Sequence, residues 1–486
     1  MHRALWGNWL SRRAGRGLIM SGVCLAALIV AAPKLHAETL NDALAQAYRY
    51  SPQLDAQRAT LRATDEDVAR ANSGYRPSIN AQADVGRQKT EVKPNFGASG
   101  TTSPRGYTIQ LIQPVFKGFR VTNAVNAAEA QVRAGREQLR NVEQQVLIDV
   151  VTAYADVVRN QAILKLRESN LNFLNTELKA TKERFAVGEV TKTDVAQSEA
   201  RVALGQSDLD QAKANLKSSR ASYEQVVGVP PQKLSEASPN SKLLPKSLED
   251  AIATGTRENP QVVSALYNEQ AARYQVDEIR GELLPEAQLE ATFTDRFDSS
   301  RQTDESETAS IVGRLNVPIY ASGGETHARV RQAKQTHLAR IQDIEQARAL
   351  IQSQVAQAWS QLIGFKAQLV SDKAQIEANR VALNGVREEE KVGQRTLIEV
   401  LNAQQELLNS QEKLEITKRQ VLVAAYTVVQ TIGRLSVAEV GAVSTVYDPE
   451  AHYDEVRRQW WGIDITHDDG RVEHMDTSRG RVEPVK

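Results

Sequence analysis

The chain has 486 residues with 60 basic and 60 acidic side chains, so no charge excess points to nucleic acid. Hydrophobic residues make up 41%, aromatics 5%, and the mean hydropathy is −0.43, which excludes a polytopic helical membrane protein, because each span needs about 20 apolar residues. The one cysteine, Cys24, excludes a disulfide framework and a thiolate metal site.

The first predicted element is a secretory signal over residues 1–37. Arg3, Arg12, Arg13 and Arg16 supply a basic region, Leu18 to Ala32 a short apolar core, and Leu35-His36-Ala37 a stop that implies cleavage before Glu38. Val23 is a poor fit to a lipidation site at Cys24. Loss of this segment removes basic residues only and leaves a mature net charge of about −5.

A helix capped by Ser51, with Pro52 in its first turn, runs to about residue 75. Two alternating segments follow. Ile79, Ala81, Ala83 and Val85 alternate with polar residues, as do Tyr107, Ile109 and Leu111. From residue 115 to 229 there is no proline, and an interior proline costs a helix about 3 kcal/mol, so this region reads as long helices. Val150, Val157, Leu164, Leu171, Leu178 and Phe185 recur every seventh residue up to a Val187-Gly188 turn. The repeat then resumes as Val195, Val202, Leu209, Leu216 and Tyr223. Ser198, Gly205, Ala212 and Ser219, each three residues on, are small and allow close coiled-coil packing. At 1.5 Å per residue, residues 119–186 span roughly 100 Å, over three times the apolar thickness of a bilayer.

The order then repeats. Leu40-Asn41-Asp42-Ala43 returns as Leu248-Glu249-Asp250-Ala251, Ser51-Pro52 as Asn259-Pro260, and Val187-Gly188 as Val392-Gly393. The first repeat covers 38–228, a Pro- and Ser-rich linker 229–246, the second repeat 247–433, and a tail, expected to be partly disordered, 434–486. In the second copy Ala287, Leu289, Ala291 and Phe293, then Ala309, Ile311 and Leu315, alternate with polar residues. Gly86 to Arg105 and Arg296 to Glu307 read as loops closing the two strand pairs, with exposed sites near Gly97 and Ser300.

Such strands have one apolar and one polar face. A soluble sheet would pack the apolar face into a core; export, the lack of other apolar cover and the long helices favour an outer-membrane barrel with its polar face toward water. Four strands cannot close a barrel when about eight is the minimum, so several chains must contribute. The heptads alone are also compatible with a long antiparallel coiled coil and nothing more.

The duplicated turns Val187-Gly188-Glu189-Val190-Thr191 and Val392-Gly393-Gln394-Arg395-Thr396, each followed by an acid and a valine, make the chain resemble the TolC family of outer-membrane channel-tunnels. So do the strand-to-helix junctions Gln113-Pro114-Val115-Phe116 and Val317-Pro318-Ile319-Tyr320. The similarity covers about residues 39–435. Tyr447-Asp448-Pro449-Glu450-Ala451-His452-Tyr453 more loosely resembles members serving type I protein secretion. The resemblance implies a mainly α protein with a membrane β-barrel: a homotrimer, four strands per chain closing as a 12-stranded barrel, and antiparallel coiled-coil helices forming a periplasmic tunnel. It implies outer-membrane lipid around the barrel, a periplasmic adaptor and an inner-membrane pump, ABC-type or proton-driven, as partners, and no nucleic acid. Adaptor docking falls on Val187, Gly188, Thr191, Val392, Gly393 and Thr396. At the gate the resemblance has Arg395 bonding Thr193 and Asp194, with Glu399 and Asn402 facing the pore. Asn402 stands where the family often has an aspartate and Glu390 where it has a tyrosine, so Glu390 is expected to repel Asp194 unless Arg395 lies between them.

No phosphate loop, paired metal-ligand histidines or nucleophile elbow is present, so no catalytic, cofactor or metal residue is assigned. His327, His337, His452, His467 and His474 read as solvated surface histidines, and Trp460-Trp461 as ordinary packing, with anchoring of the tail on a neighbouring groove or contact with lipid as the alternatives. The rival function is a periplasmic coiled-coil adaptor or structural protein with no pore of its own. Such a chain would carry one hairpin and an inner-membrane or lipid anchor; this one has two hairpins and strands in both repeats.

Overall fold

The computed structural model describes residues 38–94, 99–301, 303–443, 446–466 and 472–473. The signal segment, Cys24, Gly97, His467 and His474 lie outside the described residues. Each repeat contains a short helix, a second helix, two long strands, a very long helix and a return helix. The first has α1 (Leu40–Tyr50), α2 (Pro52–Asn72), β1 (Ser78–Val85), short β2 (Gln88–Thr90) and β3 (Gly100–Thr102), β4 (Arg105–Lys117), α3 (Arg120–Ala186) and α4 (Lys192–Val227). The second has α5 (Leu248–Glu258), α6 (Pro260–Gly281), β5 (Glu286–Ser300), β6 (Thr303–Asn316), α7 (Glu325–Lys391) and α8 (Leu397–Thr431). Short α9 (Val437–Val440) and α10 (Ala451–Val456) follow.

Local chemistry sets the boundaries. Ser51 and Asn259 cap α2 and α6, each with proline in the first turn, where its missing N–H costs nothing. Both α3 and α7 run 67 residues without proline. Their coiled-coil seams follow the seven-residue pattern: Val150 and Val157 in α3, and Val355, Leu362, Ile376 and Leu383 in α7, are buried. The small positions Ser198, Gly205, Ala212 and Ser219 of α4 are buried as well. A Cβ on Gly205 would come within 2.8 Å of Leu174, so glycine there sets how closely α4 approaches α3. The largest core gathers α1, the middle of α3 and the ends of α4 and α8, with Leu44, Leu147, Tyr154 and Tyr223 fully buried.

The four long strands form one antiparallel sheet in the order β1-β4-β5-β6, leaving β1 and β6 as edges. Register puts Ala81, Ile109, Phe293 and Ala309 in one row across the sheet and Gln82, Thr108, Thr294 and Thr308 in the next. One face is therefore apolar and the other polar. The polar face is cross-linked: Arg296 bonds Asp84 at 3.1 Å, Arg314 bonds Glu290 at 3.0 Å, and Gln110 donates to Glu290.

Two expectations about the strands are corrected. Arg296 to Glu307 is not a loop, because β5 and β6 stay paired through Phe297↔Glu305 and turn only beyond Ser300. Likewise Gln113-Pro114-Val115-Phe116 lies inside β4; a bulge between Pro114 and Phe116 absorbs the proline's missing donor. The actual junction is Gly118-Phe119, with φ of 56° and 60°, where a Cβ on Gly118 would collide with the Gly281 carbonyl.

Candidate gate and docking tips

The two hairpin tips are built alike. Gly188 and Gly393 have φ of 81° and 76°, a left-handed conformation that glycine adopts without strain. Thr191 then caps α4, its N–H and hydroxyl both donating to Asp194 at 2.8 Å. In the second tip Thr396 donates to Glu399 from its N–H at 2.8 Å and its hydroxyl at 3.0 Å. These bonds, the Thr191 backbone N–H foremost, hold the Asp194 carboxyl below the usual carboxylate range. Glu399 is lowered in the same way, first by Thr396 and then by Arg395.

The tips are thus capped, charged and open to solvent. Val187, Gly188, Thr191, Val392, Gly393 and Thr396 are all exposed, as is Thr193.

The gate residues are connected differently from the sequence expectation. Within the chain Arg395 bonds Glu389 at 2.9 Å and Glu399 at 2.8 Å, both in its own hairpin, instead of Thr193 and Asp194. Two acids that close by sequence outcompete a reach to the other tip. Arg184 of α3 crosses the gap instead, donating to Glu390 at 2.6 Å and to Glu189 at 3.3 Å. Its charge also lowers Asp194, by less than the Thr191 bonds do, so Arg184 is the arginine that acts on both Glu390 and Asp194 within the chain. Asn402 faces the other hairpin, accepting from Arg201 at 2.7 Å.

Arg184 is the tip end of a polar seam between the hairpins. Asn170 accepts from Gln404 at 3.3 Å, Glu177 pairs with Arg387 at 3.8 Å, and Arg167 pairs with Glu412 at 2.5 Å. Arg419 on Asp156 at 3.0 Å continues it toward the large core. The sequence carried a signal for this: Asn170, Glu177 and Arg184 recur every seventh residue, one position before the apolar repeat Leu171, Leu178 and Phe185.

The histidines also need correction. His452 is not solvated, since its Nδ1 lies 3.1 Å from Asp65, a carboxylate only 1% exposed, and His337 lies 2.6 Å from Glu269. Among the described residues no group of three or more His, Cys, Asp or Glu side chains is placed to hold a metal ion. No described helix is long and apolar enough to cross a membrane.

An amphipathic sheet fused to paired coiled-coil hairpins defines an outer-membrane channel of the tunnel type. The chain belongs to the outer membrane efflux protein family, whose model matches residues 43–229 and 255–434. It is 38% identical to the outer membrane efflux protein BepC of Brucella suis over 454 residues, 93% of this chain and 97% of that protein. It is 24% identical to the outer membrane protein TolC of Vibrio cholerae, covering 85% and 95%, and 26% identical to the alkaline protease secretion protein AprF of Pseudomonas aeruginosa, covering 65% and 67%. The fold matches the Campylobacter jejuni CmeC outer membrane channel with a TM-score of 0.73 at 16% identity, covering 86% and 89%. The Vibrio cholerae outer membrane protein VceC matches at 0.69 and 18%, covering 81% and 96%. The protein is an outer-membrane export channel, and its family and structural neighbours are channels.

Proposed function

We propose that three copies of this chain close into a single conduit that carries cargo from an inner-membrane pump and a periplasmic adaptor to the cell exterior. The observation that carries this reading is the sheet with both edges open. Four strands leave β1 and β6 with unpaired backbone groups, which the hydrocarbon of a bilayer does not tolerate. Pairing β6 of one copy with β1 of the next removes every edge, and three copies give 12 strands, enough for a water-filled lumen lined by the Asp84–Arg296 and Glu290–Arg314 pairs. In this reading the exposed Gly188 and Gly393 tips, at the far end of α3 and α7 from the sheet, meet the adaptor.

The polar seam supplies the gate. Ion pairs between partly exposed groups are worth about 0 to 1 kcal/mol each, so a seam of them separates at low cost where an apolar seam would stay shut. The Arg184–Glu390 pair holds the inner hairpin to the outer one at the tip, and Arg201–Asn402 backs it one layer up. Transport energy comes from the pump. Relatives include an alkaline protease secretion protein and a pyoverdine export outer membrane protein, so in this reading the pump and adaptor select the cargo and the conduit does not.

The test is the mass of the purified outer-membrane protein in detergent, followed by conductance in planar bilayers. A mass of three chains and discrete channel openings are expected; a monomer that opens no channel would refute the assembly.

A further inference from the structure

The family match ends at residue 434, and the described residues from there to Trp460 follow α3. Val437 N–H donates to Glu143 at 2.8 Å, Arg136 pairs with Glu450 at 2.7 Å, and the Tyr453 hydroxyl donates to Glu129 at 3.2 Å. The His452–Asp65 contact buries one side of this path against α2. Next the Arg76 guanidinium stacks on the Trp460 ring at 4.9 Å. Arg76 lies two residues before β1, and its neighbour Tyr75 bonds Thr122 in the first turn of α3 at 2.7 Å. From the level of Glu143 to that of Thr122 the tail has moved roughly 30 Å toward the sheet.

At the end of this path, beyond the buried Val456, Trp461 and Ile463 are 89% and 92% exposed. They sit level with the strand–helix junction, where Tyr75, Phe119, Ile319 and Tyr320 are also exposed. Arg76, stacked on Trp460, adds positive charge beside them, Arg458 lies two residues before Trp460, and the one carboxylate next to Ile463 is Asp464. Indole rings with apolar neighbours and nearby cations suit the boundary between lipid headgroups and acyl chains.

We propose that Trp460, Trp461 and Ile463 form a tail-borne anchor that dips into the phospholipid leaflet at the foot of the barrel. This continues the band of exposed aromatics at the junction and rests on the reading of the sheet as the membrane segment. The other possible occupants, a neighbouring copy or another protein, are outcomes of the test.

The full mature trimer is reconstituted into vesicles of phosphatidylethanolamine and phosphatidylglycerol brominated near the top of one acyl chain. After cleavage before Glu38 the tryptophans are Trp359, Trp460 and Trp461, so Trp359→Phe isolates the tail pair. Its emission should shift to the blue on reconstitution and lose intensity relative to the same lipid without bromine. A control variant carries Ile109→Trp on the apolar face of β4 with Trp359, Trp460 and Trp461 all changed to Phe. Quenching of the control but not of the tail pair overturns the anchor and leaves the barrel standing; an unquenched control removes the membrane reading, and the anchor with it. A tail signal already blue in detergent and unaffected by brominated lipid identifies a protein cover, which also overturns the anchor.

Discussion

Helices α3 and α7 occupy the same place in the two repeats and have the same length, yet they live in different surroundings. α3 packs against α2, α4, α6 and α8, and its middle section is the centre of the main core. α7 touches α5, α6 and α8 and leaves a face bare, with Val370 and Val381 70% and 71% exposed. Leu338, Ile363, Val370 and Val381 are separated by near-whole helical turns, so they form one apolar stripe. Duplication therefore produced one helix that completes the chain and one that needs a neighbour. A soluble monomer rarely keeps such a stripe uncovered, and β6, at the open edge of the sheet, belongs to the same repeat.

The strongest way to break this comparison is to charge the bare stripe. Val370→Asp with Val381→Asp would place two unpaired carboxylates in the subunit interface, at several kcal/mol each. The variant should run as a monomer in detergent. A trimer of normal stability would mean that the stripe faces solvent or lipid and that α7 is not the interface helix.

The complementary change is inside α3. Leu147→Ala removes a fully buried side chain from the main core and should cost about 2 to 5 kcal/mol. Thermal unfolding distinguishes the two helices: Leu147→Ala should lower the midpoint at every protein concentration, while Val370→Ala should lower it most in dilute samples, because its loss acts through assembly. Equal concentration dependence for both would erase the distinction between the helices.

A smaller effect is expected at the tips. A Cβ on Gly188 or Gly393 meets nothing within 4 Å, so Gly188→Val or Gly393→Val costs only the left-handed backbone strain, roughly 1 to 2 kcal/mol per site. The trimer should persist while export falls, because bulk now stands where the adaptor would sit. Export measured at the normal level in both variants would count against docking there.

What the sequence disclosed divides along the line between local and distant pairing. The helices, their caps and the tips repeat over seven residues or sit within one turn: Val150 and Ser198 were legible from the seven-residue period and Gly393 from the duplication. The extent of β5 was not legible, because Asp295 to Ser300 has the composition of a loop and becomes strand only through pairing with β6. Pro114 resembled a strand end until the bulge was visible. His452 and Asp65 lie in different parts of the chain, and no local pattern predicts that they meet. The within-chain contacts of the gate were hidden for a related reason: Arg184 and Arg395 are both arginines near a tip, and only the rotation of each hairpin decides which one crosses.

The finest test separates those two arginines. Arg184→Ala removes the contact to Glu390 between hairpins, whereas Arg395→Ala removes contacts to Glu389 and Glu399 within one hairpin. Single-channel conductance should rise with Arg184→Ala and change less with Arg395→Ala. Exposed pairs contribute little singly, so in the proposed trimer the bias toward closure would come from three symmetry copies acting together, on the order of 1 to 3 kcal/mol. The acids at the tips also fix the pH response. Asp194 and Glu399 have folded pKa values below their ordinary ones, so the stability they lend is present above the ordinary carboxylate range and is lost only as pH falls through the lowered values. Between about pH 5 and 8 their charge is constant, and the conductance of the unaltered channel should be flat on their account. A larger rise with Arg395→Ala than with Arg184→Ala would return the latch to the arginine that the family resemblance favoured.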